Sequence, residues 1–188
     1  SLAAAVMSNF YFGYMICLLV MLYCIFRYKA VFGTFRLKQL AGWGGRFLGY
    51  SVIALLLSSV ILLPVALCAL QSGRISTDHW ISLLYPLSYY KKFITAFLSG
   101  EAGYWSEMGY TAYGVLGVFL LFLQKKKNTL LKIGFCLMTA FMLLPFAGYA
   151  LNGFAYVANR YAWAYGMVVA YIFVRTWPDL AELTERSS

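Results

Sequence analysis

Long apolar runs, interrupted by short basic or turn-forming clusters, dominate the chain. A hydrocarbon core of about 30 Å takes roughly 20 helical residues to cross. Five runs reach that length, at approximately 2–26, 47–70, 104–123, 130–150 and 154–177. Pro64 lies near the end of the second run and Pro145 inside the fourth, where neighbouring helices can accommodate a kink. The third run is weakened by Glu107 and by Gly109, Gly114 and Gly117, glycines that would also permit close helix packing. The pattern predicts an all-α, polytopic transmembrane bundle forming a single membrane domain over 1–188, with an outer loop at 71–103.

That loop has a pattern of its own. In SYYKKFITAFLS, Phe93, Ile94, Phe97 and Leu98 fall to one side, with Lys91, Lys92 and Thr95 away from them. This predicts a short amphipathic helix, either lying in the outer headgroup plane or packed on the bundle. No internal or inverted repeat is visible.

Composition agrees with a membrane chain. Of 188 residues, 63% are hydrophobic, 19% aromatic and only 11% charged, with a mean hydropathy of +0.75. A soluble domain is roughly a quarter charged and has too little apolar surface to match this. The 15 Lys and Arg against 6 Asp and Glu give +9. In a membrane chain such an excess reflects insertion topology and anionic lipid, not nucleic-acid binding.

Cys17, Cys24, Cys68 and Cys136 sit in apolar runs without a CxxC spacing and read as small core residues. His79 is the only histidine, which excludes a multi-histidine metal site within this chain. No metal-ligand spacing, phosphate-binding glycine loop or nucleophile elbow is present, so no cofactor is indicated. The opening at Ser1 lacks a signal-peptide pattern and reads as the start of a piece of something longer.

Basic density sets the expected topology. The 27–46 connection carries Arg27, Lys29, Arg36, Lys38 and Arg46, and the 124–132 connection carries Lys125, Lys126, Lys127 and Lys132. Both are expected on the cytoplasmic side, together with the tail bearing Asp179, Glu182 and Glu185. The 71–103 loop and the stretch LNGFAYVANR at 151–160 are then outside.

That stretch places two asparagines and an arginine in an otherwise apolar region. If the chain is helical from Gly153 onward, Asn152, Tyr156, Asn159 and Arg160 stack on one face at i, i+4, i+7 and i+8. Arg160 then either anchors a helix end at the headgroups or helps line a cavity for an anionic ligand. Arg74 follows the second run and could join Arg160 in clamping a phosphate. Asp78 beside His79 has the composition of an acid–base pair, but adjacent residues rarely point the same way, and such a loop start is more often a turn or helix cap. Glu101 and Glu107 are not at same-face spacing.

SNFYFGYMICLLVMLYCIFRY, LLPVALCALQSGR, the KKK-terminated third run and GYALNGFAYVANRYAWAY together resemble the YfhO family of bacterial multi-pass membrane proteins. The most specific pieces are NFYFGYM and NGF-x-Y-x-x-NR. The family more usually places tryptophan directly after that arginine. Here Tyr161 stands there and Trp163 follows. The resemblance implies a GT-C-type glycosyltransferase fold in the plasma membrane. It also implies a polyprenyl-phosphate-linked sugar as donor and an envelope polymer such as lipoteichoic acid as acceptor. On this reading Arg160 and Arg74 meet the carrier phosphate, and Asn152, Asn159 and Tyr156 line the substrate site. The catalytic base, usually in the first outer loop, is expected upstream of Ser1. The rival reading is a lipid or polysaccharide flippase subunit without catalysis.

Overall fold

The computed structural model describes residues 10–34, 37–71, 81–99, 110, 112–124, 127–154 and 156–187. Among them are seven helices: α1 (Phe10–Phe32), α2 (Leu37–Gln71), α3 (Leu87–Ser99), α4 (Ala112–Leu123), α5 (Thr129–Leu143), α6 (Pro145–Leu151) and α7 (Ala162–Ser187). The described residues contain no strand. The chain divides into two compact units, Ser1–Trp80 with Leu151–Ala155, and Ile81–Ala150 with Tyr156–Ser188.

The first unit is built on α1 and α2. Among the described residues, Phe12–Phe32 and Lys38–Pro64, 21 and 27 residues long, are apolar and long enough to cross a bilayer unaided. Both run past the expected limits. Arg27 and Lys29 lie within α1, and Lys38 and Arg46 within α2. The anticipated 27–46 loop is therefore only the short connection at 33–36. Gly33 turns it at φ +69°, a backbone region that costs glycine little. Tyr28 donates to Gln39 Oε1 across the connection at 3.3 Å, and Phe32 meets Trp43 edge-on. Basic residues can remain helical here because long stems lie along apolar surface while their charges reach water.

The second unit contains α3, α4, α5 and α7. Parallel α4 and α7 meet along a glycine seam. A Cβ at Gly114 would stand 2.8 Å from Val169 Cγ1, and one at Gly117 2.7 Å from Phe173 Cα. The expected close-packing role of these glycines is thus met by a neighbouring helix backbone. Helix α4 has 12 residues, about 18 Å at 1.5 Å per residue, and does not span alone.

The fourth run is not one continuous helix. Helices α5 and α6 are bent by 93° at Leu144, which adopts φ −111° and ψ 121°. Pro145 explains the break: its ring drives the preceding residue out of the α region, and it has no N–H to continue the ladder. It is well placed as the first residue of α6. Among the described residues two helices are long and apolar enough to span, or three if the bent pair is one span; much of the third expected run, 104–109 and 111, lies outside them.

At one end of this unit, Gln124 Nε2 and Lys127 Nζ both donate to Asp179, the latter at 3.2 Å. Asn128 donates to Gln124 Oε1 at 3.0 Å, and Lys132 donates to the Gln124 carbonyl. The basic connection and the start of the acidic tail therefore share one end, opposite the α5–α6 break.

Candidate functional site

Breaking a helix frees its last carbonyls, and buried carbonyls need donors. At the end of α5 three tyrosines supply them. Tyr161 donates to the Phe141 carbonyl at 2.6 Å, Tyr89 to Met142 at 2.8 Å and Tyr90 to Leu143 at 3.2 Å. Each phenol comes from a segment distant in sequence, so the break is closed by tertiary structure.

Asn159 joins this set from the middle. Tyr85 donates to its Oδ1 at 3.1 Å, while its Nδ2 donates to the Tyr89 hydroxyl at 2.6 Å. The Tyr85 and Tyr89 rings stack with centroids 4.0 Å apart, and the Tyr90 hydroxyl accepts the Tyr85 backbone N–H at 3.1 Å. Gly148 on α6 makes room, since a Cβ there would lie 2.8 Å from Asn159 Oδ1. Burial pushes the Tyr85 and Tyr89 phenols above the ordinary tyrosine value. The Asn159 hydrogen bond draws both partly back. Both stay neutral at physiological pH and remain able to donate.

Arg160 stands between two anchored residues. Asn159 is 4% exposed and Tyr161 0%, whereas Arg160 is exposed. Its Nη2 donates to the Tyr156 hydroxyl at 2.9 Å, and its guanidinium carbon lies 6.0 Å from the Tyr156 ring centroid. The backbone is held on both sides of the arginine, and a phenol steadies the guanidinium. Such a group suits a phosphate or carboxylate, because its ordering cost is largely met before binding.

The expected helical face at 152–160 is not formed. Gly153 and Phe154 adopt φ +67° and +58°, ending α6 in the left-handed region. Helix α7 begins only at Ala162, whose N–H donates to the Asn159 carbonyl at 3.0 Å. The expected helix from 154 is thus displaced because an Asn-Gly pair stops the preceding helix and the following residues feed the tyrosine cluster. Tyr156 and Arg160 come together across non-helical backbone instead of by helical spacing. Asn159 adjoins them, but its amide is engaged on both sides. Asn152 is buried and belongs to the first unit. Arg74, Asp78, His79, Glu101 and Glu107 lie outside the described residues. No grouping of metal-binding side chains occurs among the described residues.

Sequence reasoning missed Tyr85, Tyr89 and Tyr90. The available signal was a cluster of phenols in YPLSYY combined with Pro145, which guarantees unpaired carbonyls needing donors.

Apolar spanning helices, a broken helix closed by phenols and an exposed arginine beside it define a polytopic helical membrane protein. The family model described as Bacterial membrane protein YfhO matches residues 1–188, and the chain belongs to that family. None of the curated proteins and none of the solved structures matches it.

Proposed function

We propose that the chain forms part of a GT-C-like glycosyltransferase of the bacterial plasma membrane. It moves a sugar from a polyprenyl-phosphate carrier to an extracytoplasmic envelope acceptor such as lipoteichoic acid. The observation that carries this reading is Arg160, held outward between buried Asn159 and Tyr161 at the end of its unit opposite the lysine-rich connection. With the 124–132 connection and the tail cytoplasmic, as basic density favours, Arg160 faces the exterior.

In this reading the guanidinium holds the carrier phosphate and offsets the charge that grows on it as the sugar departs. Tyr156 steadies the guanidinium. Asn159 seats the backbone through Tyr85 and Tyr89. The acceptor hydroxyl must lose its proton to a base, for which an acidic side chain in an outer loop is the suitable group.

Transfer of labelled sugar by the full-length protein in membranes tests the proposal. Arg160→Ala should raise the donor concentration required and slow transfer, and Arg160→Lys should recover part of the loss. A charge-assisted hydrogen bond is worth about 1.5–3 kcal/mol, so the expected loss is roughly tenfold to a hundredfold. Unchanged transfer at normal membrane levels would remove Arg160 from the site.

A second reading, lipid or polysaccharide translocation, draws on the 93° break, since discontinuous helices line the passages of many transporters. Movement of a labelled lipid across vesicles without covalent transfer of sugar would favour it.

A further inference from the structure

Helix α3 has three kinds of side, and the protein accounts for two of them. At about 100° per residue, Tyr89, Phe93, Ala96 and Phe97 share the sector turned to the second unit. Phe93 and Ala96 are buried there, Phe93 facing the Tyr165 ring and Phe97 the Phe135 ring. Lys91, Lys92 and Thr95 form a second, exposed and polar sector. Leu87, Ile94 and Leu98 make up the third, at i, i+7 and i+11, and are 70%, 59% and 57% exposed. Leu83 and Leu84, just ahead of the helix, are 91% and 62% exposed.

A helix between a protein core and water needs only an apolar side and a polar side. A separate apolar edge, adjoining the polar one, fits a helix that meets protein, water and hydrocarbon together. Lys91 sits where the polar and apolar edges join, so its stem can lie on acyl chains while its ammonium reaches the headgroups. Helix α3 contains two lysines and no acidic residue, which complements an anionic leaflet.

We infer that the Leu87–Ile94–Leu98 edge, with Leu83 and Leu84, inserts into the headgroup–acyl boundary of an anionic leaflet. Lys91 and Lys92 lie at its phosphates. The leaflet is the one at the end of the unit where Tyr89 and Tyr90 cap α5, away from Lys127 and Asp179. This inference is independent of sugar transfer.

The test uses the full chain with Cys17, Cys24, Cys68 and Cys136 replaced by serine, in vesicles containing phosphatidylglycerol. Nitroxides are placed through Lys92→Cys, Ile94→Cys or Leu98→Cys. The ratio of oxygen collisions to collisions with a water-soluble nickel chelate should be several-fold higher at 94 and 98 than at 92. Equal chelate access at all three, or exclusion of both reagents from 94 and 98, would overturn the insertion. In the same vesicles Lys91→Glu with Lys92→Glu should lift position 94 toward water, but not in vesicles of neutral lipid. Identical depth in both lipids would overturn the anionic pairing. Should the serine background fail to insert, a lipid-soluble carbene on the unaltered chain should mark Leu83, Leu84 and Leu87, and their protection would overturn the inference.

Discussion

The α4–α7 seam and the α5–α6 break solve the same problem in opposite ways. Each brings helices together in a chain with few charges. At the seam, side chains are removed: Gly114 and Gly117 let Val169 and Phe173 approach the α4 backbone directly. At the break, side chains are added, and Tyr89, Tyr90 and Tyr161 fill the hydrogen-bonding positions that α5 leaves open. Where backbones are self-satisfied, contact area holds the pair together. Where a backbone is interrupted, specific donors are required. The exposed arginine of the proposed site stands at the second kind of place, where position is set by directed bonds.

If that contrast is sound, substitutions should separate by region. The largest effect should come from Gly117→Leu, because the obstruction is the Phe173 Cα, which cannot turn aside. Overpacking of that kind costs up to about 3 kcal/mol, occasionally more. The same change at Gly114 meets the end of a valine side chain and should cost less. Unfolding in detergent gives both values, and equal costs would show that the seam yields as a whole.

Next in size is Asn159→Ala, which removes the partner of Tyr85 and one of the partners of Tyr89. Buried polar groups left without partners cost about 1–3 kcal/mol. Amide exchange should rise at the end of α5 and around 156–161 while α4 stays protected. Uniform loosening of both regions would merge the two into one cooperative element.

These regions also differ in how openly the sequence announced them. The seam was legible because close packing by glycine is a local property, visible as small residues in an apolar run. The amphipathic α3 was legible for the same reason, through Phe93 and Phe97 against Lys92, but Ile94 and Leu98, expected on the side of Phe93, are exposed. The break was only half legible. Pro145 signalled a kink, but the 93° bend requires donors from 53 and 20 residues away, and no spacing rule joins Tyr89 to Met142 or Tyr161 to Phe141. For that reason the 152–160 stretch was expected as a helix face. Its asparagine is engaged by tyrosines of another segment, and Gly153 with Phe154 turns the chain before Arg160 is reached.

Alkali offers a gentler way to separate the regions. Burial raises the Tyr85 and Tyr89 phenols above their ordinary value of 10.0. Below that value both folded and unfolded phenols are protonated, and the cluster keeps its full contribution. As pH climbs past it, the unfolded chain releases protons that the folded one retains, so stability at the break falls. Unfolding monitored with phenolate absorbance should show this loss only on the alkaline side. A Tyr85→Phe, Tyr89→Phe double variant should reduce it, while a variant at Gly117, whose close neighbour is Phe173, should not.

The smallest effect expected is the most telling about what holds the bend. Pro145→Ala restores an N–H that in a continuous helix would bond the Phe141 carbonyl. That carbonyl already accepts from Tyr161, and those of Met142 and Leu143 accept from Tyr89 and Tyr90. Straightening the helix would have to displace all three phenols and release Asn159, gaining ladder bonds of similar individual worth, about 1 kcal/mol each. The bend should therefore survive, with a stability change under about 1 kcal/mol, the scale on which exchanging one hydrogen-bond partner for another nets out. Distance measurements between spin labels on α5 and α6 would show whether it does. A straightened helix would mean that proline alone holds the break and that the tyrosines merely decorate it. A retained bend that straightens only when Pro145→Ala is combined with Tyr89→Phe and Tyr161→Phe would show the phenols holding it, and with it the backbone on which Arg160 is displayed.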